Sequence, residues 1–543
     1  MKEHARLRLP LRGLIFLALS MINAGRASNY YVDAAAGNDA NNGVSPQTAW
    51  RTLAKVNASR FNPGDSVLLK RGERWRERLD VPSSGAPGSP ITFSAYGAGE
   101  NPIINGAILL TNWSRASGNV WSAVVDPPPV FVEEVHIVVF DQVYGKRKPS
   151  RADLTNERDW HYDISNQRLD IFSTSNPATK YQNPGIEVSI QFGAFYLNNQ
   201  DYITLNGLTL IYSNNNAVKT HDDDSDHIVV ENCFITKSAG AGISSPSGSD
   251  DWTVRNNTVT YCGEELDRDG LYVNEGCNAW KIYDNVFAFN GGDDLALEGG
   301  TGHRIFRNKL GPSRSISMGL ALEGGSDYEV YENEITGHDV AGIAVKAAQC
   351  KIFRNRIYDN SQDGILINSQ AADAGLEIYY NAIWGHVNRG FSGISLWLGG
   401  SNAKISNNVL FGNDLGLGQH QGQQNVEIVN NIIASNVKLG LYRYSGTQRV
   451  SHNDCYGNGV NYSGLPDPRG SEGNISAEPL FMDEARRDFR LQARSPCIDA
   501  GLSIGLVNDL EGEAVPQGQQ VDIGAFEYKS ISPPQDVRVI IKP

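Results

Sequence analysis

The feature that most constrains this fold is a short phrase that, from Asn257 onward, returns every 22 to 28 residues. Each copy has a β-branched residue, two variable residues and an Asn, followed by apolar residues. The copies span residues 203–206, 254–257, 282–285, 305–308, 330–333, 352–355, 378–381, 405–408, 428–431 and 450–453. A unit repeated at this interval indicates a solenoid, in which each unit packs on its neighbours.

A second phrase shares this period and predicts a strand. A Gly or an Asp precedes residues that alternate between apolar and small or polar, which is the period of a strand and not of a helix. The pairs that open these strands are Gly270-Leu271, Asp294-Leu295, Gly319-Leu320, Gly342-Ile343, Gly364-Ile365, Gly393-Ile394, Gly416-Leu417 and Gly440-Leu441. The repeat therefore predicts stacked coils of short β-strands.

The recurring Asn residues predict how the coils are joined. An Asn at a turn tolerates unusual backbone angles, and its amide can hydrogen-bond to the coils above and below. We therefore expect one column that contains Asn285, Asn308, Asn333, Asn355 and Asn381. This pattern resembles the asparagine ladder of right-handed parallel β-helix proteins, the pectate-lyase-like superfamily of secreted proteins. The resemblance covers roughly residues 28–528 and implies an all-β, single-stranded solenoid.

The rest of the chain divides around these coils. We expect a signal peptide over 1–27, an N-terminal cap with the first coils over 28–127, and a β-rich insertion over 128–180, where the period breaks. Further coils follow over 181–480, then a closing segment over 481–528 and a tail over 529–543. A capping segment is expected because the last coil otherwise leaves an open sheet edge.

Charge and the N-terminus limit the location and the partners. Arg6, Arg8 and Arg12 precede an apolar run from Leu14 to Leu19, and small residues at Gly25 and Ala27 form a cleavage pattern. We therefore expect an extracellular or periplasmic protein with no membrane span, and we expect a monomer. The net charge of −14 disfavours nucleic acid as a partner. It would also repel an acidic polysaccharide unless a local cation or a bound metal intervened.

Side chains in the predicted strands can be sorted by direction. In Leu271-Tyr272-Val273-Asn274, the first and third residues point inward and the second and fourth outward. The second positions are small in the middle of the stack, whereas the fourth positions are polar or aromatic, as in a groove with side walls. The fourth-position row reads Asn274, Glu298, Glu323, Lys346, Asn368, Trp397, His420 and Tyr444. We expect Asn274, Asn368, Trp397, His420 and Tyr444 to bind substrate.

Carboxylates cluster beside this row. Asp269 and Asp293 precede strands in the same register on adjacent coils, next to Asp294, and Glu298 and Glu323 lie on the row itself. Crowded carboxylates shift one another's pKa values, which suits general acid and base chemistry or a cation site. We interpret the isolated Asp363 as an ordinary turn residue. Lys346 pairs with Glu323 at the surface or serves as a substrate binder or a base.

Two families share parts of this pattern. The sequence Asp269-Gly270-Leu271, the pair Asp293-Asp294 and Lys346 are similar to motifs of the polygalacturonase family of glycoside hydrolases. This resemblance implies Asp293 as the general acid, Asp269 and Asp294 as water-activating bases, and Lys346 as the binder of a substrate carboxylate. Met318 and Ala344 stand where that family has its His and Arg.

The chain also resembles calcium-dependent pectate lyases that use a Lys base. This resemblance implies Asp269, Asp293, Asp294 and Glu298 as ligands of Ca²⁺, a cation that prefers oxygen ligands. The base is absent from the aligned strand, so Lys346 on the next coil would replace it.

These observations predict a secreted enzyme that cleaves a polysaccharide. The acidic cluster holds both the acid and the base that glycoside hydrolysis requires, with no cofactor. The catalytic candidates are Asp269, Asp293, Asp294, Glu298, Glu323 and Lys346. A Ca²⁺-dependent lyase acting by β-elimination and a noncatalytic carbohydrate-binding or adhesin scaffold stay open as alternatives.

Overall fold

The chain folds into a stack of parallel coils. The computed structural model describes residues 27–129, 134–220, 224–263, 265–387 and 390–529. In these ranges the coils form three long parallel sheets of 14, 13 and 13 strands, here called sheets 1, 2 and 3. The predicted solenoid is therefore confirmed. Apart from Ala27 and Lys529, the predicted signal peptide and tail lie outside the described residues.

The strands of each sheet follow one another in chain order, one from each coil. Sheet 1 contains Asn29–Val32, Ser66–Lys70, Ile91–Tyr96, Ile203–Asn206, Val229–Glu231, Thr253–Arg255, Lys281–Tyr283, Arg304–Phe306, Glu329–Tyr331, Lys351–Phe353, Glu377–Tyr379, Lys404–Ser406, Val426–Val429 and Gln448–Ser451. Sheet 2 contains Leu79–Asp80, Phe195–Leu197, Val218–Thr220, Ile243–Ser244, Leu271–Val273, Leu295–Leu297, Leu320–Leu322, Ile343–Val345, Ile365–Ile367, Ser392–Leu396, Leu415–Gln419, Leu439–Arg443 and Val460–Ser463. Sheet 3 contains Arg74–Trp75, Ile103–Asn105, Thr209–Ile211, Phe234–Thr236, Thr258–Thr260, Val286–Ala288, Lys309–Leu310, Glu334–Thr336, Arg356–Tyr358, Ala382–Trp384, Val409–Phe411, Ile432–Ala434 and Asp454–Tyr456.

Columns of aliphatic side chains fill the interior of the stack. On sheet 1, Ile282, Ile305, Val330, Ile352 and Ile378 pair in register and are fully buried. Burial of one such side chain contributes about 1.5–3 kcal/mol. Because each coil adds a layer to one continuous core, the exact register of every strand is set by its neighbours.

The predicted asparagine column lies at the bend between sheets 1 and 3. Asn308 shows the repeated pattern: its backbone N–H donates to Asn333 Oδ1 over 3.0 Å, and its Nδ2 donates to Ile282 O over 2.8 Å. The buried column runs through Asn257, Asn285, Asn308, Asn333, Asn355, Asn381, Asn408, Asn431, Asn453 and Asn474. The sharp backbone angle belongs to the preceding residue, such as Arg307 with φ of 53°.

A second buried polar column lies at the bend between sheets 3 and 2. The backbone N–H of His386 donates to Asn413 Oδ1 over 3.1 Å, and the Asn413 N–H donates to Asn436 Oδ1 over 3.0 Å. His338 and Asn360 continue the column in the same way over 3.0 Å. Because this column contains both Asn and His, no single residue type recurs along it in the sequence.

Two further sheets interrupt the coils between Asn105 and Phe195, and their strands are antiparallel except for the parallel pair Lys146–Arg147 and Asp159–Asp163. One contains Val143–Tyr144, Val138–Phe140, Ile186–Ser189 and Ala107–Leu110, and the other contains Lys146–Arg147, Asp159–Asp163, Arg168–Phe172, Val120–Val124 and Ser114–Ser117. The inserted strands therefore begin at Ala107, earlier than residue 128, where the sequence analysis predicts the start of the insertion. Ile137 and Val139 of the insertion pack in one cluster with Leu266, which lies three residues before Asp269. The insertion thus supports the loop that leads into a candidate site residue.

The closing segment packs against the outer face of sheet 3. Its strands Phe481–Asp483 and Asp488–Leu491 form an antiparallel pair, and Phe489 contacts Trp384 and Phe411 of sheet 3. Short helices lie between the strands at Pro46–Thr48, Leu53–Asn57, Arg151–Asp153, Pro177–Lys180 and Gln370–Asp373. In the described part of the chain, no helix has the length and apolarity needed to cross a membrane.

Candidate active site

The outer face of sheet 2 carries a groove, and its floor is the column of second positions. Leu271 and Val273 are fully buried, whereas Tyr272 between them is partly exposed, as predicted from the alternation. Strand pairing places the column in register across adjacent coils as Tyr272, Ala296, Ala321, Ala344 and Leu366. Three small side chains therefore lie between two larger ones, and all three are almost fully shielded from solvent.

The fourth-position row forms one rim of the groove. The backbone N–H of Glu323 donates to Leu297 O over 2.8 Å, and that of Lys346 donates to Leu322 O over 2.7 Å, so these residues lie on successive coils. The Lys346 ammonium donates to the Glu323 carboxylate. Glu298, on the preceding coil, accepts a hydrogen bond of 3.1 Å from the Tyr272 hydroxyl. The row predicted for Glu298, Glu323 and Lys346 therefore exists as a continuous line.

Asp269 and Asp293 form the opposite rim. The Asp293 backbone N–H donates to Asp269 Oδ1 over 2.8 Å, and the Met318 N–H donates to Asp293 Oδ1 over 2.6 Å. Each carboxylate thus bridges to the next coil. Burial raises the pKa of Asp269 to about 7, helped by the charge of Asp293. Burial likewise raises the pKa of Asp293 to about 6. These two groups exchange protons near neutral pH, where ordinary Asp side chains are ionised.

The two rims interact electrostatically across the floor. The charge of Glu298 adds to the pKa rise of Asp269, and the charge of Glu323 adds to that of Asp293. Each Asp therefore senses the Glu on the following coil. This arrangement places four carboxyl groups around one stretch of small floor residues, with Lys346 neutralising part of the charge at Glu323.

Asp294 does not reach the groove. It takes the place that Gly holds in neighbouring coils, where an added Cβ would point inward; at Gly270 this Cβ would lie 2.7 Å from Asn290 Nδ2. Its side chain is fully shielded, accepts from Asn290 Nδ2 over 2.9 Å and lies 3.0 Å from His338 Nε2. The interpretation of Asp294 as a water-activating base is therefore corrected, because the group has no contact with solvent.

The four residues considered as calcium ligands do not meet at one point. Asp269 and Asp293 lie on one rim and Glu298 on the other, while Asp294 lies inside the coil. Among the described residues, no group of three or more His, Cys, Asp or Glu side chains is arranged to hold a metal ion. We therefore derive no catalytic step through Ca²⁺.

Part of the predicted substrate row comes together further along the groove. Asn368, Trp397 and His420 line one pocket with Asp363. Asn274 lies apart from them and donates from Nδ2 to Ser245 O over 2.5 Å. Tyr444, two coils beyond Trp397, is 76% exposed.

Asp363 lines this pocket, so the interpretation of this residue as an ordinary turn residue is incomplete. The sequence contains a feature that identifies Asp363 as a candidate site residue: it precedes the strand-opening Gly, as Asp269 does. Like the two rim aspartates it accepts from the next coil, here from the Ser392 N–H over 2.7 Å. Burial raises its pKa to about 7.

Comparisons with known proteins agree with this architecture. Residues 246–410 match the family model described as "Right handed beta helix region". A lacto-N-biosidase of Bifidobacterium longum subsp. longum is 39% identical over 95 residues, which is 16% of this chain. The matched segment spans only 6% of that protein's length.

Two solved structures share the fold. One, titled "The complex structure of XylC with xylose", has a TM-score of 0.55 at 13% identity, with 81% of this chain and 87% of that chain covered. The other, titled "Glycoside hydrolase", has a TM-score of 0.50 at 13% identity, with 81% and 97% covered. At this identity the likeness shows a common right-handed parallel β-helix.

Proposed function

We propose that this right-handed parallel β-helix protein is a secreted glycoside hydrolase that cleaves a polysaccharide or oligosaccharide in the groove of sheet 2. The observation that carries the proposal is the Asp269/Asp293 pair. The two carboxyl groups lie on adjacent coils at the groove rim, and their pKa values are raised to about 7 and 6. Glycoside hydrolysis needs one protonated and one ionised carboxyl group beside the scissile bond.

The pair holds about one proton near neutral pH, because the charge of one carboxylate opposes ionisation of the other. In the proposed reaction, the protonated member donates its proton to the glycosidic oxygen as the bond to the sugar breaks. The ionised member accepts a proton from the attacking water or attacks the sugar itself. Positioned proton transfer of this kind contributes about 10² to 10⁴-fold in rate.

The neighbouring groups have supporting roles in this proposal. Glu298, fixed by the Tyr272 hydroxyl, places negative charge near the cationic sugar that forms in the transition state. Lys346 limits the accumulated negative charge through its ion pair with Glu323. The named relatives support a carbohydrate substrate, since one is a lacto-N-biosidase and another was solved with xylose.

Lys346 is also the observation that favours a lyase as the second candidate. β-Elimination needs a base and a cation beside a uronic acid carboxylate, and Lys346 is a cationic side chain on the rim of the groove. Its ammonium already pairs with Glu323, which weakens both roles. The hydrolase therefore remains our first choice.

Incubation with a panel of neutral and uronic acid polysaccharides tests the proposal. Reducing ends without absorbance from unsaturated uronates identify a hydrolase. Absorbance that EDTA abolishes and Ca²⁺ restores identifies the calcium-dependent lyase. Binding with no cleavage identifies a noncatalytic scaffold.

Variants then test the residues. Under the hydrolase proposal, Asp269→Asn and Asp293→Asn should each lower kcat by about 10² to 10⁴-fold. The control Asp339→Asn changes an exposed carboxylate on the turn before Ile343 and should leave kcat unchanged. Full activity of both rim variants on a cleaved substrate would exclude the pair as the acid and base.

A further inference from the structure

A pocket of about 260 Å³ lies in the groove on the C-terminal side of the acid pair. Its volume is just below the range of about 300–1,000 Å³ usual for drug-sized ligands. Asp363 precedes a sheet 2 strand in the same register as Asp293, three coils further along, which at the strand spacing is about 14 Å. The pocket therefore suits a small unit of a chain that also extends past Asp293.

Asp363 is the buried polar group at the base of this pocket. It is only 6% exposed, and its recorded hydrogen bond is the one accepted by Oδ1 from the Ser392 N–H over 2.7 Å. Burial raises its pKa, and in the part of the chain that the structure describes no basic side chain lowers it. Burial of a carboxyl group without a cationic partner lowers the stability of the fold. This favours a role for Asp363 in binding a ligand.

Aromatic side chains form the wall beside Asp363. Trp397 is 46% exposed, and its ring lies 4.9 Å from the His420 ring at a tilt of 48°. Phe391 and Leu366 add apolar surface, and Asn368 and Ser395 add polar groups. An exposed indole face beside a few convergent hydrogen-bonding groups matches the apolar carbon face and the hydroxyl rim of a sugar ring.

The charges around the pocket disfavour an acidic ligand. Burial lowers the pKa of His420, so its ring is neutral at neutral pH. Among the described residues, the ammonium groups of Lys346 and Lys438 already have carboxylate partners: Lys346 pairs with Glu323, and Lys438 pairs with Asp414 over 2.9 Å. A uronate carboxylate in the pocket would lie beside Asp363, and neither of these two ammonium groups is unpaired and able to compensate its charge.

We infer that the Asp363 pocket is a subsite for one uncharged sugar unit, which packs on Trp397 and hydrogen-bonds to the Asp363 carboxyl group. This inference rests on the proposed function, because it places the unit on a chain that is cut at Asp269 and Asp293. It deepens that function by naming a neutral glycan, not a uronic acid polymer, as the substrate class.

Calorimetric titration of the full chain tests the subsite. The probes are xylotetraose, cellotetraose, lacto-N-tetraose and tetragalacturonate, and the protein carries Asp293→Asn so that no probe is consumed. At least one neutral probe should bind, and tetragalacturonate should bind at least tenfold more weakly. In this background, Trp397→Ala and Asp363→Ala should each weaken the neutral probe at least tenfold.

Control variants separate binding from folding. Trp397→Phe keeps an aromatic face and should retain most of the affinity. Tyr456→Ala changes an exposed residue on sheet 3, away from the pocket, and should have no effect. Loss of affinity in Trp397→Ala with full retention in Trp397→Phe cannot come from general unfolding.

Several outcomes would overturn the inference. One is that no neutral probe binds, and another is that binding is insensitive to Trp397→Ala and Asp363→Ala. Tighter binding of tetragalacturonate than of any neutral probe would assign the pocket to an acidic sugar. If a neutral probe binds through Trp397 and Asp363 but no substrate is cut by the unmodified chain, the subsite stands and the hydrolase proposal fails. If a substrate is cut and its KM is unchanged in Trp397→Ala, the subsite fails alone.

Discussion

Asp294 Oδ2 and His338 Nε2 lie 3.0 Å apart inside the coil stack, and both side chains are fully shielded from solvent. The other ring nitrogen of His338 lies 3.1 Å from Asn360 Oδ1, which can only accept a hydrogen bond. The Nδ1 atom therefore carries a proton, and the imidazole joins Asp294 to the second polar column. This pair stabilises two coils against each other and has no access to a substrate.

Replacing Asp294 with Gly should destabilise the protein by about 3–5 kcal/mol, because it leaves the buried His338 without its acidic partner. Three other coils suggest a rescue, since they combine Gly at this position with Asn in the second column, as in Gly342 with Asn360, Gly393 with Asn413 and Gly416 with Asn436. Asp294→Gly with His338→Asn should therefore be more stable than Asp294→Gly alone. Urea unfolding of the single and double variants measures this coupling. Additive losses in the double variant would contradict a direct Asp294–His338 interaction.

The pH dependence of catalysis should follow the Asp269/Asp293 pair. Their pKa values of about 7 and 6 are raised by burial, with smaller contributions from the charge of Asp293 at Asp269 and the charge of Glu323 at Asp293. Activity should fall above about pH 7 as the pair loses its last proton, and below about pH 6 as both groups become protonated. The profile of kcat/KM against pH on a cleaved substrate checks this bell shape. A profile that stays flat from pH 5 to 9 would contradict it.

The same two groups should lower stability at neutral pH. Their folded-state pKa values exceed that of an unfolded Asp, so the folded protein binds more protons and its stability falls as pH rises from about 4 through 7. Asp293→Asn keeps the acceptor for the Met318 N–H and removes the charge. It should raise the unfolding free energy by about 1–3 kcal/mol at pH 8 and change it little at pH 4. Thermal unfolding at both pH values measures this, and an equal effect at both would exclude a titration origin.

Removing the Lys346 ammonium should shift the activity profile. In Lys346→Met, the unpaired Glu323 carboxylate opposes ionisation of Asp293 more strongly. The acidic limb of the profile, which follows Asp293, should therefore move to higher pH, while stability changes by less than about 1 kcal/mol, as is usual for a partly exposed ion pair. Lys404→Met, which breaks a comparable pair with Glu377 on sheet 1, serves as the control. An unchanged profile in Lys346→Met would show that Glu323 is not coupled to the acid pair.

The coil stack and its outward row were predictable from the sequence. An Asn such as Asn308 repeats with every coil because each one must satisfy buried backbone groups in the coils above and below it. The alternation in Leu271-Tyr272-Val273 likewise reports the side-chain direction directly, since a strand has a period of two. Local periodicity was therefore sufficient to place Glu298, Glu323 and Lys346 on one line.

The roles of Asp294 and Asp363 depended on tertiary structure. Both lie at the bend that precedes a sheet 2 strand, where the two-residue alternation no longer applies and one step along the chain turns a side chain from the groove to the interior. Asp294 therefore lies against His338, which is 44 residues away. Asp363 lies beside Trp397, which a following coil supplies.

The sequence by itself determined the parallel coils, the asparagine column and the existence of an acidic groove, because each of these repeats with the coil and can be read from spacing. Only the tertiary structure decided which carboxyl groups have raised pKa values, which one is buried in the interior and which one lies beside aromatic side chains. Those properties depend on burial and on charges from neighbouring coils. The residues that contribute them lie 22 to 28 positions apart in the chain, so the local sequence pattern does not show them.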